Sequence, residues 1–141
     1  MSTRVVSDLL QGRDDKVFTV SPEASVQEAL ELMVAKGISS LPVTVDGELV
    51  GIISERDYIR KAVPRRIVAW EVRVQEIMTH EVICVTRNNT IQECMERMTS
   101  NRIRHLPVVE GDTLIGMLSI SDIVRALRPA RIEFPDPPRR E

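Results

Sequence analysis

The chain has few aromatic residues, few cysteines and almost no net charge. Four of its 141 residues are aromatic, so a core must consist of Val, Ile, Leu, Met and Ala. The formal net charge of −2 lacks the basic excess of a dedicated nucleic-acid binder. No apolar run approaches the roughly 20 residues of a membrane span, and residues 1–4 do not open a signal peptide. We therefore expect a cytoplasmic globular protein that binds neither membranes nor nucleic acids.

The two cysteines also exclude some chemistry. Cys84 and Cys94 have no CxxC spacing and lie in apolar patterns, which favours buried thiols over a redox or metal site. We predict no metal site. The sequence contains no nucleophile–base constellation, metal-ligand cluster or P-loop, so we expect no enzymatic activity.

The chain does contain an internal repeat. The segment Leu41-Pro42-Val43 returns 65 residues later as Leu106-Pro107-Val108, and at this offset about a third of the positions between 20 and 60 are identical. One unit of roughly 60 residues buries so little surface that it would be only marginally stable alone. Two units packed with pseudo-twofold symmetry would cover each other.

Helix signals recur at this offset. Ser25, with Glu28 three residues on, predicts a capping box at the start of a helix, and Thr90 with Glu93 repeats it. Gly37 is expected to end the first of these helices, whereas the second copy has an arginine there.

Strand and turn signals recur as well. A β-rich run at 17–20 precedes the first helix, and hairpins are predicted at Asp46-Gly47 and Gly111-Asp112. Short helices are expected over about 55–62 and 121–127. Each unit is therefore β-α-β-β-α.

These patterns divide the chain into four parts. Repeat 1 covers residues 5–62, a linker covers 63–73, repeat 2 covers 74–128, and a Pro-rich tail covers 129–141. The tail is expected to be extended and solvated. Trp70 in the linker is either core filler or a dimer contact.

One motif recurs at the end of each unit. The segments Gly51-x-x-Ser54-x-x-Asp57 and Gly116-x-x-Ser119-x-x-Asp122 each lie between a strand and a helix. The spacing is close to that of a capping box, which only needs to begin a helix. However, a carboxylate can also accept hydrogen bonds from two ribose hydroxyls, and a helix N-terminus favours a phosphate. The motif alone leaves both interpretations open.

Taken together, the capped first helix, the apolar-Pro-Val strand and the Gly-x-x-Ser-x-x-Asp turn resemble the CBS (cystathionine β-synthase) domain. The resemblance covers about residues 5–127 and matches the tandem arrangement called the Bateman module, of the stand-alone bacterial or archaeal type. It implies an α/β (α+β) fold of two β-α-β-β-α repeats and a homodimer. It also implies clefts between the repeats for an adenine nucleotide, with AMP as first choice and ADP, ATP, NAD or S-adenosylmethionine as the others.

The resemblance also implies which residues form the two clefts, because each joins the motif of one repeat to a wall of the other. Site A would consist of Val17, Phe18, Ile38, Ser39, Ser40, Pro42, Arg104, Ser119, Ser121 and Asp122. Site B would consist of Ser54, Arg56, Asp57, Val82, Ile83, Ile103, Arg104, His105 and Pro107. The aspartates would hold ribose, while Arg104 in site A and Arg56 in site B would reach phosphate. Site B is richer in positive charge, so it either prefers a more phosphorylated ligand or is partly filled by its own side chains.

The function implied is regulatory signal transduction. Binding of an adenosyl ligand would change the conformation or the binding of a regulated partner protein, which the sequence does not identify. The alternative is a structural dimerisation module without a physiological ligand.

Overall fold

The computed structural model describes residues 4–13 and 17–127, which form two copies of one α/β unit. The first half contains α1 (Val6–Leu10), α2 (Val26–Lys36), β1 (Ser40–Val45), β2 (Glu48–Ser54) and α3 (Glu55–Asp57), which continues as a π-helical turn, Tyr58–Ala62. The second half contains α4 (Val74–Ile77), α5 (Ile91–Asn101), β3 (His105–Glu110), β4 (Thr113–Ser119) and α6 (Ile120–Leu127). The predicted tail, 129–141, lies outside the described residues.

The four strands form one antiparallel sheet in the order β1-β2-β4-β3. The two predicted hairpins are present as β1–β2 and β3–β4. Asp46 and Gly47 have φ values of 50° and 81°. Positive values at both central residues are typical of a type I′ turn, whose twist matches that of the strands it joins.

The two hairpins meet at the centre of the sheet. The Leu49 N–H donates to the Asp112 carbonyl (2.9 Å), and the Leu114 N–H donates to the Gly47 carbonyl (3.0 Å). Each of these hydrogen bonds becomes the other when the copies are exchanged at the 65-residue offset. The copies are therefore related by a pseudo-twofold axis between β2 and β4.

The predicted first strand of each copy is reduced to an isolated parallel bridge. Val20 donates its N–H to the Pro42 carbonyl (3.1 Å) and accepts from the Thr44 N–H (3.0 Å), opposite Val43. The next step back along this ladder would require an N–H from Pro42, which proline lacks. Val85 repeats this arrangement against the second proline-containing strand.

The predicted helix starts are present. Ser25 Oγ accepts a hydrogen bond from the Glu28 N–H (3.0 Å) at α2. At α5 the box is complete, because the Glu93 N–H donates to Thr90 Oγ1 (3.0 Å) and the Thr90 N–H donates to Glu93 Oε1 (2.8 Å). Such a cap contributes about 1 kcal/mol to helix stability.

The ends of the same two helices differ in residue type but not in conformation. Gly37 follows α2 with φ 64°, and Arg102 follows α5 with φ 53°. Glycine takes this left-handed conformation without a steric penalty, whereas arginine does not. The second copy therefore retains the backbone path at a local cost.

The described part of the chain has two hydrophobic cores, and the short lead-in helix of each copy packs into the core of the other. Val74 and Ile77 of α4 join the core of the first copy, while Val6 of α1 joins the core of the second. Val6 and Val74 are fully buried. Full burial of such a side chain contributes roughly 1.5–3 kcal/mol. The exchanged helices thus stabilise the association of the copies.

The motif glycines lie where backbone and side chains approach closely. A methyl group at Gly51 would lie 2.6 Å from Met78 Sδ and 3.0 Å from the Thr79 carbonyl oxygen. At Gly116 the nearest atom would be a methyl of Leu10, at 3.1 Å. A side chain at Gly51 would therefore require its neighbours to shift, whereas one at Gly116 would displace only the flexible end of a leucine.

Candidate functional site

Two cavities lie on opposite sides of the pseudo-twofold axis, one beside each Ser-x-x-Asp motif. The first cavity has a volume of about 590 Å³ and contains the Ser119–Asp122 end of β4 and α6. The second has a volume of about 630 Å³ and contains the Ser54–Asp57 end of β2 and α3. Both volumes lie in the range of small-molecule sites, roughly 300–1,000 Å³.

The first cavity brings together most of the residues predicted for site A. Seven of them line it: Val17, Phe18, Ile38, Ser40, Pro42, Ser119 and Asp122. Ser39 and Arg104 instead line the second cavity. Ser121 is exposed in the first turn of α6. The lining also includes residues that were not predicted for site A: Leu10, Arg13, His105, Ile115, Gly116 and Met117.

The second cavity brings together the residues predicted for site B, apart from Pro107. Eight line it: Ser54, Arg56, Asp57, Val82, Ile83, Ile103, Arg104 and His105. Pro107 is buried within β3. Arg102, which the sequence indicated as a source of positive charge at this site, also lines the cavity. The sequence did not indicate Ser39, Ser40, Ile52, Glu55, Arg60, Lys61, Thr79 and Glu81 for this site. Lys61 had a usable signal, because residues four apart on a helix are neighbours and it follows Asp57 by four.

Asp122 caps α6 with one carboxylate oxygen. Oδ2 accepts hydrogen bonds from the Ser119 N–H (2.8 Å) and the Ser119 hydroxyl (3.1 Å), and lies 3.6 Å from Arg13 Nη1. Oδ1 lies 3.9 Å from Nη2 of Arg125, whose side chain is 72% exposed. The capping function thus occupies one oxygen and leaves the second with a long, solvent-exposed contact.

Asp57 has the same cap but a different second oxygen. Oδ2 accepts from the Ser54 N–H (2.9 Å) and the Ser54 hydroxyl (3.0 Å). Oδ1 accepts from the Thr79 hydroxyl (3.1 Å) and forms an ion pair with Lys61 Nζ (3.1 Å). Both oxygens of this carboxylate are therefore bound within the chain.

Ser40 lines both cavities at the start of β1. It is 5% exposed, and its hydroxyl has no hydrogen-bond partner among the residues that the structure describes. Leaving a buried hydroxyl without a partner costs about 1–3 kcal/mol, so such groups are rare unless a ligand or water completes them. This hydroxyl is therefore a candidate ligand contact.

His105 occupies the position equivalent to Ser40 and also lines both cavities. Burial lowers the pKa of His105 below the ordinary histidine value, and the adjacent Arg104 guanidinium lowers it further, while the Asp122 carboxylate partly opposes them. A neutral imidazole between the cavities can donate one hydrogen bond and accept another.

The cavities differ in charge. Five cationic side chains line the second cavity (Arg56, Arg60, Lys61, Arg102 and Arg104), with three carboxylates (Glu55, Asp57 and Glu81). Among the residues that the structure describes, one guanidinium, Arg13, and one carboxylate, Asp122, line the first cavity. The second cavity is therefore the more favourable for an anionic group.

Two further features concern the described residues as a whole. Within 4–13 and 17–127, no three His, Cys, Asp or Glu side chains are grouped as they would be around a metal ion. None of the helices in this part of the chain has the length and apolar character needed to cross a membrane. Cys94 is fully buried, and burial raises the pKa of its thiol.

Comparisons with known proteins identify relatives of the chain. Residues 6–63 and 74–129 each match the family model for the CBS domain. The mitochondrial CBS domain-containing protein CBSX3 of Arabidopsis thaliana is 36% identical over 131 residues, which cover 86% of this chain. The match spans 64% of the length of CBSX3, and matches to archaeal inosine-5′-monophosphate dehydrogenases span 21–23% of theirs.

Solved structures show the same fold. A CBS-domain protein from Burkholderia ambifaria is 38% identical, with a TM-score of 0.84, and the similarity covers 92% of this chain and 98% of that one. The CBS domain pair of MJ0100, solved with 5′-methylthioadenosine and S-adenosyl-L-methionine, is 27% identical with a TM-score of 0.76 over 89% of this chain and 96% of that one. The predicted fold, two repeats in one module, is thereby confirmed. The chain belongs to the CBS-domain family and carries two CBS domains in tandem.

Proposed function

We propose that this CBS-domain pair is a regulatory module that senses an adenosine-containing ligand in the clefts between its repeats, and that the first cavity is the principal site. The observation that carries this proposal is Asp122 at the wall of the first cavity. One of its oxygens caps α6, and the other has only a long contact to an exposed arginine in the described part of the chain. A carboxylate with free acceptor capacity suits the paired hydroxyls of a ribose.

The rest of the first cavity fits the other parts of such a ligand. Val17, Ile38 and Pro42 provide an apolar wall on the side opposite the motif, suited to an adenine ring. The unpartnered Ser40 hydroxyl can complete a hydrogen bond to it. The N-terminus of α6, an eight-residue helix, favours a phosphate group.

The choice among adenosyl ligands follows from charge. With one guanidinium against one carboxylate among its described lining residues, the first cavity disfavours a highly phosphorylated ligand, so AMP is preferred to ADP and ATP and is the first choice. ADP, ATP, NAD and S-adenosylmethionine are the alternatives. The 5′-methylthioadenosine and S-adenosyl-L-methionine bound by MJ0100 support the adenosyl class in general.

The regulatory part of the proposal needs a change of shape that a partner reads. A ligand shifts a conformational equilibrium only by its difference in affinity between the two states. Each proposed cleft contains residues from both repeats, so ligand binding would alter their mutual orientation. The proposal includes no catalytic role, a cytoplasmic location, repeat boundaries at 5–62 and 74–128, and a regulated partner protein.

A homodimer is also proposed, supported by exposed apolar side chains on the helices. Val34 of α2 is 79% exposed, Ile59 61% and Val124 of α6 47%. Trp70 is 70% exposed, so it does not serve as core filler within the described chain. Such side chains favour the alternative of a structural dimerisation module as well. A measurement of ligand binding distinguishes the sensing module from the structural dimerisation module.

The test is calorimetric titration of the purified protein with AMP, ATP, NAD and S-adenosylmethionine, together with mass spectrometry of any small molecule that co-purifies. We expect binding of at least one of these ligands in the micromolar range, weakened by Asp122→Ala more than by Asp57→Ala. Absence of binding and of thermal stabilisation with every ligand at millimolar concentration would leave the dimerisation module as the better account.

A further inference from the structure

Lys61 makes the second cavity unlike the first. Its Nζ forms an ion pair with Asp57 Oδ1 (3.1 Å), donates a hydrogen bond to the Ile77 carbonyl (2.9 Å) and lies 3.5 Å from Thr79 Oγ1. The side chain is 40% exposed, whereas that of Asp57 is 12% exposed. The ammonium thus lies at the wall of the cavity, in contact with the oxygen whose equivalent in Asp122 has a contact of 3.9 Å to Arg125.

The second copy has no such group, because the residue equivalent to Lys61 at the 65-residue offset is Ala126. Asp122 Oδ1 has the Arg125 guanidinium at 3.9 Å, and that side chain is 72% exposed. An exposed ion pair at this distance contributes little, about 0–1 kcal/mol. Both aspartates therefore accept the same hydrogen bonds from the motif serine, but Oδ1 has a closer cation in Asp57 than in Asp122.

We propose that Lys61 is a specificity-determining residue of the second cavity. Its ammonium engages the Asp57 carboxylate, and it thereby disfavours any ligand that would bind this carboxylate through ribose hydroxyls alone. This inference rests on the proposed function, in which the motif aspartates hold ribose. A ribose hydroxyl that approaches Asp57 Oδ1 must compete with a charge-assisted contact of 3.1 Å. At Asp122 Oδ1 the competing contact is longer, 3.9 Å, and comes from the exposed Arg125 side chain.

A ligand with a phosphate group has a compensating interaction. The anion can pair with Lys61 when the lysine leaves Asp57, and Arg56 and Arg60 line the same cavity. The second cavity thus discriminates between adenosine, which is uncharged, and ADP, which is anionic. Beside the first cavity the equivalent of Lys61 is Ala126, so no lysine lies next to Asp122 Oδ1 at this position. The Arg13 guanidinium of the first cavity lies nearest the other oxygen, Oδ2, at 3.6 Å.

The test measures adenosine and ADP binding by calorimetry in the Asp122→Ala background, which weakens the first cavity so that the second dominates the signal. Adding Lys61→Met keeps the aliphatic stem and removes the ammonium, and we expect adenosine affinity to rise roughly three- to tenfold. ADP affinity should fall or stay the same. Lys61→Arg keeps a cation beside Asp57 and should retain the adenosine affinity of the background.

Lys61→Gln provides a second uncharged variant in case loss of the hydrogen bond to Ile77 unfolds the methionine variant. Its side-chain amide can still donate to the Ile77 carbonyl. An unchanged or lower adenosine affinity in both uncharged variants would refute the role of Lys61, while adenosine binding to the protein with Asp122 intact would leave the proposed function standing. If neither adenosine nor ADP binds any variant or the unaltered protein, the proposed function itself fails.

Discussion

Replacing Asp122 by alanine separates its two possible roles. As a cap, its Oδ2 accepts from the Ser119 N–H and hydroxyl, so Asp122→Ala should lower the free energy of unfolding by about 0.5–2 kcal/mol. As a ribose ligand, its Oδ1 would accept a hydroxyl hydrogen bond. A hydrogen bond to a charged group contributes about 1.5–3 kcal/mol, and each 1.4 kcal/mol changes Kd tenfold. We therefore expect a loss of AMP affinity of about tenfold to a hundredfold.

The assay is a double-mutant cycle in which one change is made in the ligand. Calorimetry compares AMP with 2′-deoxy-AMP, for the unaltered protein and for Asp122→Ala. If Asp122 holds the ribose, the unaltered protein binds AMP more tightly than its deoxy analogue, and the variant loses most of that preference. Asp57→Ala is the matched control, because it removes the equivalent cap at the second cavity and should retain the preference.

The refuting result is also specific. If Asp122→Ala lowers the midpoint of urea unfolding but binds both ligands as the unaltered protein does, Asp122 is only a helix cap. An equal loss of affinity for AMP and its deoxy analogue would likewise contradict a contact to the ribose hydroxyls.

Three other predictions concern stability and are measured by urea unfolding. Gly51→Ala should destabilise by about 1–3 kcal/mol, because its methyl group would overlap a methionine sulfur and a backbone oxygen, whereas Gly116→Ala meets only the movable end of a leucine and should cost less. Arg102→Gly should stabilise by up to about 1 kcal/mol by relieving a left-handed arginine, and Gly37→Ala should destabilise by a similar amount; equal effects of the same sign would contradict this. The pKa of His105 is lowered in the folded state, so the unfolded chain binds the proton more readily. The free energy of unfolding should therefore have its full value above about pH 6.5 and decrease as the pH falls below it. His105→Gln should flatten this dependence.

Much of the fold was predictable because its signals are local. The caps at Ser25 and Thr90 need only a side chain three residues from a free N–H. The turn at Asp46-Gly47 needs only residues that tolerate positive φ. The strand predicted at 17–20 was wrong in extent, because a parallel ladder depends on its partner, and the partner strand contains Pro42. The strand propensity of residues 17–20 does not reflect a proline in the partner strand.

The candidate sites were less predictable for a similar reason. The motif residues Asp57 and Asp122 were found because they recur at one offset, and the apolar wall followed from the resemblance. Arg104 was expected at both sites, and it lines the second cavity but not the first. Which cavity a residue faces depends on how the two copies are rotated about the axis between β2 and β4, and sequence spacing does not encode that rotation.

By itself the sequence determined the duplication, the order of elements, the caps and turns, and the two motif aspartates, because each depends on residues a few positions apart or on one constant offset. The tertiary structure alone decided that Ser40 and His105 lie between both cavities, and that the lead-in helices exchange cores. It also decided that Ile77 and Thr79 of the other copy contact the Lys61 ammonium beside Asp57. These contacts cross the pseudo-twofold axis, so they exist only once packing has fixed the distance between the two copies.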